Sequence, residues 1–448
     1  MEDKNILEVK LEYTAKSFLD QIKGEDIQVV SHFDTDGITA ATIMIQALKR
    51  LDQRFSLKIV KSLTKEFINS LDKSKVTLFL DLASGSLNHI GDAQLRKAYI
   101  IDHHEVDEEI PSNVEIVNPQ LCEKQKISGS GLAYLFAKQL NPKNADLAKL
   151  AVLGMIGDRM EDGIEALEQN IIDGVDVKKN RGLQVYPSTR PLNRVLEYSS
   201  DPFIPGVTGE LKGVLELLRE AGINPSGGKY PSLIELTEAE MDRLVTAVVL
   251  RNPEKKDNQL LGDLYLIKLF GRFEDARETS AKINACSRDG QSQVAIGMCL
   301  ENMESKKKAD SIHVKYRQHL ISGLKFAQES EKIMGPGYVI INAGDEIKDT
   351  MIGTISSIVA GSALHEEGTL IMGIAKDEEN QVMKVSARIA GKKGKNVREL
   401  LSRIMLDFEG EVGGHEFAAG CSIPLDKTGE FIKKVKDSFA MSPTPEAQ

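Results

Sequence analysis

The N-terminal part of this 448-residue chain contains short apolar runs separated by helical patterns, and this alternation strongly limits its fold. The run IQVV covers 27–30 and precedes a helical pattern from Ile38 to Leu51, and the runs KVTLFL and KAYII follow at 75–80 and 97–101. Each run ends in acids, histidines or small residues rather than in a hairpin turn. Strands separated by helices are typical of a parallel sheet, whose ligands gather at the carboxyl ends of its strands. The sequence therefore predicts a parallel α/β domain with a functional site at that edge.

The rest of the chain changes character twice. Prolines and glycines are frequent between Tyr186 and Tyr230, which indicates a loop-rich connection, and mostly helical sequence follows until GPGYVIINAG at 335–344 restarts strand-like sequence. We expect an α/β protein with a parallel-sheet domain, a helical middle segment and a smaller C-terminal α/β domain. The predicted boundaries are 1–190 for the first domain, 191–333 for the linker and mostly helical region, 334–441 for the C-terminal domain and 442–448 for a disordered tail.

The composition excludes several classes of protein. With 57 Lys and Arg against 67 Asp and Glu, the formal net charge of −10 excludes an all-over basic coat, although nucleic-acid binding needs only a local basic face. The four cysteines form no CxxC pair, so we expect neither a structural zinc site nor a disulfide framework. No apolar run approaches the roughly 18 residues of a membrane span, and the polar start is unlike a signal peptide. These features together predict a cytoplasmic protein without a membrane partner.

The first polar cluster, SHFDTDG, directly follows the IQVV run. His32, Asp34 and Asp36 alternate, and alternate residues of an extended segment point the same way, so one imidazole and two carboxylates can converge. Gly37 permits a tight turn into the following helix. The alternative interpretation is a polar strand end with an aspartate that caps the helix.

Three further clusters follow later elements: Asp81 in LFLDLASG, Asp102, His103 and His104 in IIDHHEV, and Asp158 in GMIGDRMEDG. Alone, each has an ordinary explanation, such as a helix cap or a solvated loop. Together, the four clusters hold five acids and three histidines, which can supply ligands for two divalent ions. Oxygen and imidazole ligands suit Mn²⁺ or Mg²⁺, and two such ions can clamp both oxygens of an in-line phosphoryl displacement.

The order of these motifs resembles a known family. HFDTDG, FLD, DHH and GD, in this order, resemble the four motifs of the DHH phosphoesterase superfamily, and GGHEFAAG at 413–420 resembles the hallmark of the accompanying DHHA1-type domain. INACSRDG at 283–290 is similar to the Asn-Ala-x-x-Arg segment of RecJ-type nucleases, and SARIAG at 386–391 to their second substrate-binding strand. Apart from parts of 190–330, nearly the whole chain resembles archaeal RecJ-like exonucleases.

The resemblance implies two metal sites. The implied ligands of one metal are His32, Asp34 and Asp81, with Asp81 bridging to the other metal. The implied second site is completed by Asp36, His103 and Asp158. His104 is then expected to face the scissile phosphate, and Asp102 to orient a histidine.

The resemblance also implies residues that hold the substrate. They are Asn284, Arg288 and Arg388, with Gly413 and Gly414 for close approach to a phosphate and His415 for a hydrogen bond to it. The family pattern has a glycine where this chain has Ser287, which concerns the turn expected before Arg288.

A basic run strengthens the case for a polymeric substrate. The segment 384–398 contains no acid and six basic residues, Lys384, Arg388, Lys392, Lys393, Lys395 and Arg398. The alternative interpretation is a solvated loop. Beside the two substrate motifs, however, the run is expected to form a positive wall opposite the metals, and several phosphate contacts favour a nucleic acid.

The leading hypothesis is an exonuclease that releases mononucleotides from single-stranded DNA or RNA, by in-line attack of a hydroxide bridging two divalent ions, with Mn²⁺ favoured over Mg²⁺. It would act in DNA replication and repair or in RNA turnover. One alternative is a phosphoesterase for small substrates such as oligoribonucleotides of a few residues, pAp or cyclic dinucleotides. Another is a replication component that binds the GINS complex at the replicative helicase through the helical middle. The polarity of digestion and the choice between DNA and RNA stay open.

Overall fold

The computed structural model describes residues 6–440, apart from 107, 123–124, 200–201, 252–259, 363, 392, 409 and 411. The predicted tail over 442–448 and Lys392 of the basic run therefore lie outside the described residues. The chain folds into two compact units. Unit 1 comprises Met1–Gly182, Tyr186–Thr189 and Gly262–Val314, and unit 2 comprises Leu183–Val185, Arg190–Leu261 and Lys315–Gln448. Within the described residues, no helix combines the length and the apolar character that crossing a membrane requires.

Unit 1 is built on a five-stranded sheet in which every strand is parallel to its neighbours. Its strands are β1 (Ile27–His32), β2 (Phe55–Val60), β3 (Val76–Leu80), β4 (Lys97–Ile101) and β5 (Val114–Val117), in the order β2-β1-β3-β4-β5. Val29 and Val30 are both buried but belong to different apolar cores, so the sheet is covered on both faces. The predicted parallel sheet is confirmed. The chain passes from β1 to β2 on one side of it and then crosses to β3 on the other side. The strand order therefore reverses at β1, and a reversal of this kind opens a crevice at the carboxyl edge of a parallel sheet.

Helices surround the sheets of both units. In chain order they are α1 (Ile6–Gln21), α2 (Thr35–Arg50), α3 (Lys65–Asn69), α4 (Leu87–Asp92), α5 (Gly129–Leu140), α6 (Ala148–Gly157), α7 (Ala166–Asp173), α8 (Leu192–Glu197), α9 (Leu211–Glu220), α10 (Glu238–Val249), α11 (Ala276–Arg288), α12 (Ser292–Cys299), α13 (Met303–Glu329), α14 (Asp349–Ala360), α15 (Val397–Met405) and α16 (Thr428–Ala440). In unit 1, α2 packs against α5 and α6. It begins at Thr35 rather than at the predicted Ile38, because Asp34 caps it by accepting a hydrogen bond from the Gly37 backbone N–H at 3.0 Å.

A second sheet consists of β6 (Val177–Leu183), β7 (Leu261–Leu269) and β8 (Arg272–Asp275), in that order. β7 and β8 form an antiparallel hairpin whose two turn residues, Phe270 and Gly271, have φ angles of 53° and 75°. Both strands lie in the 191–333 region, where the sequence predicts mostly helix. An apolar run such as that of β7 does not distinguish a strand from a buried helix by periodicity. The type of turn decides, since two residues with positive φ match the twist of a hairpin.

Unit 2 contains a six-stranded mixed sheet. Its strands are β9 (Ile333–Gly335), β10 (Tyr338–Gly344), β11 (Leu370–Asp377), β12 (Val382–Ile389), β13 (Gly413–His415) and β14 (Ala418–Pro424), in the order β13-β14-β12-β11-β10-β9. Ile340 faces a core shared with α15 and α16, and the adjacent Ile341 faces a core shared with α14. This alternation produces a helix–sheet–helix sandwich, as expected for a C-terminal α/β domain.

Candidate metal centre

The carboxyl edge of the five-stranded sheet brings the four polar clusters together. His32 is the last residue of β1, and Asp36 lies in the first turn of α2. Asp81 directly follows β3, the segment 102–104 directly follows β4, and Asp158 is the C-terminal cap of α6. All the predicted metal ligands thus lie where a doubly wound sheet places its ligands.

The predicted ligands form two groups that share Asp81. In the first, Nδ1 of His32 lies 3.0 Å from Oδ2 of Asp34 and 3.5 Å from Oδ2 of Asp81. In the second, Nε2 of His103 lies 3.3 Å from Oδ1 of Asp81, 3.3 Å from Oδ2 of Asp158 and 3.9 Å from Oδ2 of Asp36. Two sets, His32 with Asp34 and Asp81, and Asp36 with His103 and Asp158, each keep their possible ligand atoms within 4.8 Å of one another.

Unsatisfied buried atoms at the centre fit a cation. Both carboxylate oxygens of Asp81, Nδ1 of His32 and Nε2 of His103 are buried, and none has a hydrogen-bond partner among the described residues. Leaving such a group without a partner costs about 1–3 kcal/mol, and more when it is charged. Divalent cations held between carboxylate oxygens and imidazole nitrogens would satisfy all four atoms. Carboxylate oxygens suit Mn²⁺ or Mg²⁺, and the imidazole nitrogens, which are borderline donors, favour Mn²⁺ of the two.

The ionisable groups of this centre shift one another's pKa values. Burial, together with the charges of Asp158 and Asp81, raises the pKa of Asp36 well above its ordinary value. Burial and the charge of Asp81 raise the pKa of Asp158 to about 7. Burial acts to lower the pKa of His103, but the carboxylate of Asp81, 3.3 Å from Nε2, and the charge of Asp36 raise it to about 10. Without a cation, protons therefore offset the repulsion between the carboxylates, and a cation must displace them.

The backbone of α5 holds Asp36 in place. The N–H of Gly129 donates to Oδ2 of Asp36 at 2.6 Å, and the N–H of Ser130 donates to Oδ1 at 3.0 Å. The N-terminus of a helix is a favourable position for a carboxylate. Gly129 also permits a close approach, because a Cβ atom there would lie 2.6 Å from Oδ1 of Asp81. Sequence reasoning missed these residues, whose signal is the SGSG segment at 128–131.

Asp102 is buried and fixes the DHH motif through hydrogen bonds that its carboxylate accepts. Its buried carboxylate accepts hydrogen bonds from Nδ1 of His104 at 2.7 Å, from the His103 N–H at 2.8 Å and from the Ser84 N–H at 2.9 Å. Burial acts to raise the pKa of Asp102, but the hydrogen bonds and charge of His104 and the bonds from Ser84 lower it to about 2. The ionised carboxylate fixes the proton of His104 on Nδ1, so Nε2 is available for a substrate.

A neighbouring amide completes this support. Nδ2 of the buried Asn118 donates to the backbone oxygen of His104 at 2.8 Å and to Oγ of Ser84 at 2.9 Å. Sequence reasoning missed both Asn118 and Ser84. The available signals were the Asn-Pro pair after β5 and the small residues that follow Asp81.

Two of the predicted substrate residues lie in unit 1, on α11. Asn284 and Arg288 are four residues apart and therefore share a helix face with Ser280. Oγ1 of Thr35 donates to the backbone oxygen of Ser280 at 2.9 Å, which connects this helix to the first polar cluster, SHFDTDG. The turn expected before Arg288 is absent, because the helix extends to Arg288 and the chain turns afterwards at Gly290, where φ is 73°.

The other predicted substrate residues lie in unit 2. Gly413, Gly414 and His415 form the short strand β13, which pairs with β14. Gly414 has a φ of 125°, and a Cβ atom there would lie 2.3 Å from the backbone oxygen of Ala418, so only glycine fits. Arg388 lies on β12, and its Nε donates to Oγ of Ser357 at 2.9 Å.

Part of the basic run already interacts with its own unit. Nζ of Lys384 lies 3.8 Å from Oδ2 of Asp349, and Nζ of Lys395 lies 4.0 Å from the centre of the Phe439 ring. Nζ of Lys393 lies 4.0 Å from Oε2 of Glu367, and the Lys393 side chain is 85% exposed. The described lysines of the run thus differ in how freely they can reach a ligand.

Comparison with known proteins agrees with this architecture. Residues 26–155 match the DHH family N-terminal domain, residues 186–257 match the DHH-CID domain, and residues 338–441 match the DHHA1 domain. An uncharacterised protein of Methanocaldococcus jannaschii, MJ0831, is 29% identical over 432 residues, which cover 92% of each chain.

Solved structures with the same fold include two well-covered relatives. Exonuclease RecJ bound to manganese is 17% identical, with a TM-score of 0.63 and coverage of 97% of this chain and 96% of that one. CDC45 from Entamoeba histolytica is 12% identical, with a TM-score of 0.70 and coverage of 97% and 99%. The domain matches, the shared fold and the composite acid–histidine centre agree. The chain therefore belongs to the DHH family, with a C-terminal DHHA1 domain, and it shares the fold of exonuclease RecJ and CDC45.

Proposed function

We propose that this hydrolase is a divalent-metal-dependent exonuclease that releases mononucleotides from single-stranded DNA or RNA. The strongest support for this proposal is the position of the Asp81 carboxylate. The two carboxylate oxygens of Asp81, both buried and without hydrogen-bond partners among the described residues, face two separate ligand sets built around His32 and His103. A shared carboxylate of this kind is typical of phosphodiester hydrolysis with two cations, and Mn²⁺ or Mg²⁺ suits the donors.

The chain's own residues have distinct tasks in this reaction. When bound, the cations would polarise the phosphoryl group and lower the pKa of a water molecule. Asp102 holds Nδ1 of His104, so that Nε2 can donate to a phosphate oxygen. The N–H groups of Gly129 and Ser130 keep Asp36 aligned, which limits the reorganisation of the site during the reaction.

The substrate class rests on the basic and polar residues away from the metal centre. We assign strand contacts to Asn284 and Arg288 on α11 and to Arg388 on β12. Gly413, Gly414 and His415 would receive a phosphate beside β13. Several such contacts favour a polymer over a small phosphoester. The manganese-bound structure is that of an exonuclease with the same fold, which supports Mn²⁺ as the preferred cation.

Digestion of 5′- and 3′-labelled DNA and RNA strands with Mn²⁺ or Mg²⁺ tests the proposal. We expect mononucleotides as products and a loss of activity in Asp81→Ala and in His103→Ala. The matched control is His89→Ala, since His89 is an exposed histidine on α4, outside the centre. Full activity of either site variant would contradict the metal assignment. Faster hydrolysis of a dinucleotide than of a long strand would favour the small-substrate alternative.

The predicted association with the GINS complex stays a separate prediction. The likeness to CDC45 concerns the fold, and the 186–257 segment that matches the DHH-CID domain is a natural region to test. We expect GINS subunits to be retained by the immobilised full chain. Loss of retention after substitution of exposed leucines on α9, such as Leu211 and Leu215, would locate the contact.

A further inference from the structure

Phe33 occupies an unusual position between two predicted metal ligands. Its neighbours His32 and Asp34 both belong to the first ligand set, and the chain bends at residues 33 and 34, directly after β1. The Phe33 ring is half-buried and lies edge-on to the His32 imidazole, with ring centroids 5.0 Å apart and an interplanar angle of 83°. A half-buried aromatic side chain this close to the metal centre is well placed to influence how a substrate binds there.

The guanidinium of Arg288 lies over this ring. Its Cζ is 5.9 Å from the centroid of Phe33, within the range of a cation–π contact. Arg288 is exposed, and no carboxylate of the described residues lies within 4.0 Å of it. The adjacent Asp289 instead accepts a hydrogen bond from Nε2 of Gln291 at 2.8 Å. The planar aromatic contact therefore positions a cation whose charge is not neutralised by an acid.

The helix that carries Arg288 is itself fixed to the same motif. Oγ1 of Thr35 and Oγ of Ser280 are 3.1 Å apart, in addition to the bond from Thr35 to the Ser280 backbone. Ser280 and Arg288 are eight residues apart on α11, so they lie near the same helix face. Residues 33 and 35 of one short segment thus contact two points of α11.

We propose that Phe33 is a positioning residue. Its ring, which also contacts His32, holds the Arg288 guanidinium where it can bind a strand phosphate next to the scissile bond. The inference rests on the proposed function and identifies what recognises the strand within unit 1. The face of an aromatic ring attracts a guanidinium and leaves its N–H donors free for phosphate, whereas a carboxylate would compete with the phosphate for them. Phe33 therefore acts on strand affinity and not on the cations.

The test compares Phe33→Leu, Phe33→Tyr and Arg288→Ala. We expect Phe33→Leu to raise the dissociation constant for a short labelled oligothymidylate, measured by fluorescence anisotropy in Ca²⁺, and the KM for the unlabelled strand, each about two- to five-fold. The kcat, the Mn²⁺ affinity by calorimetry and the hydrolysis of bis(p-nitrophenyl) phosphate should stay unchanged. Phe33→Tyr should behave as the wild type. In the Arg288→Ala background, Phe33→Leu should add nothing.

Several results would overturn the proposal. Unchanged strand affinity in Phe33→Leu, or the same loss with and without Arg288, would show that the ring does not act through the guanidinium. Weaker Mn²⁺ binding in Phe33→Leu would show that the ring serves His32 instead. A wild-type protein that hydrolyses bis(p-nitrophenyl) phosphate but binds neither oligothymidylate nor oligouridylate would refute the strand-degrading function itself, and the positioning role with it.

Discussion

Nδ1 of His104 lies 2.7 Å from Oδ1 of Asp102, and this carboxylate is completely buried while the His104 side chain is 54% exposed. The hydrogen bond that His104 donates to Asp102 outweighs desolvation and raises the pKa of His104 above its ordinary value. The pair therefore connects a fixed internal charge to an imidazole that solvent and substrate can reach. An imidazole held in this way has one orientation and one tautomer available for a phosphate.

Replacing Asp102 by asparagine tests this relationship. The amide keeps the size of the side chain but has only one acceptor oxygen for the four backbone and imidazole donors, so the His104 ring loses its fixed orientation. We expect kcat on a single strand to fall about 10–100-fold, with Mn²⁺ binding retained. The pKa of His104, followed by NMR, should fall towards its ordinary value because the negative charge is gone. An unchanged kcat with a lowered His104 pKa would show that this imidazole has no part in the reaction.

The affinity for Mn²⁺ should depend on pH. In the metal-free centre the pKa of Asp158 is about 7, so this carboxyl group is protonated in more acidic solution, where a cation must displace the proton. His103, with a pKa of about 10, holds its proton to still higher pH. The apparent affinity should therefore rise with pH, by about tenfold per pH unit for each proton displaced. Calorimetry in buffers of different ionisation enthalpy counts these protons, and a pH-independent affinity would contradict the assignment.

Close approach of α5 to the shared carboxylate makes Gly129 sensitive to substitution. In Gly129→Ala the new Cβ would meet Oδ1 of Asp81 at 2.6 Å and its Cβ at 2.8 Å, so one of the two elements must shift. We expect a folded protein that binds Mn²⁺ at least tenfold more weakly, since a misplaced shared ligand affects both sets. Gly85→Ala is the matched control in the loop after Asp81, because no atom lies within 4 Å of its added Cβ. Equal Mn²⁺ affinity in the two variants would show that the close approach is unimportant.

Salt dependence can test the role of Arg388 in unit 2. Each phosphate contact on a single strand contributes about −0.7 to the slope of log affinity against log salt concentration. We expect Arg388→Ala to weaken strand binding and to make this slope less steep by about that amount. Arg403→Ala is the control, because Arg403 is an exposed arginine of α15 that lies 3.7 Å from Glu399. Parallel slopes for the wild type and Arg388→Ala would remove Arg388 from the phosphate contacts.

The sequence predicted best those features of the fold and the site that depend on residues close together in the chain. Asp34 is both a helix cap and a member of a ligand set, and the two interpretations of SHFDTDG turn out to be compatible. The alternation of apolar runs and helical patterns predicted the parallel sheet, and the strand ends predicted the edge at which the acids meet. These features depend on neighbours within a few residues, which a sequence displays directly.

Features that depend on distant contacts could not be predicted. Asp36 is held by the N–H of Gly129, 93 residues away, and no local pattern pairs the two. The hairpin of β7 and β8 turns at Phe270, which is not a typical residue for positive φ, so the strongest hairpin signal is missing. In both cases tertiary packing selects a conformation that local preference leaves open.

The backbone N–H groups that donate to Asp34 and Asp36 bear on how this centre would take up a cation. Gly37 fixes one acid, and Gly129 and Ser130 fix the other, so the arrangement of these carboxylates is set by the helices. Folding and loading are then separate events, and an ion can leave and another enter without rebuilding the centre. We therefore expect Mn²⁺ and Mg²⁺ to exchange at this centre while the chain stays folded.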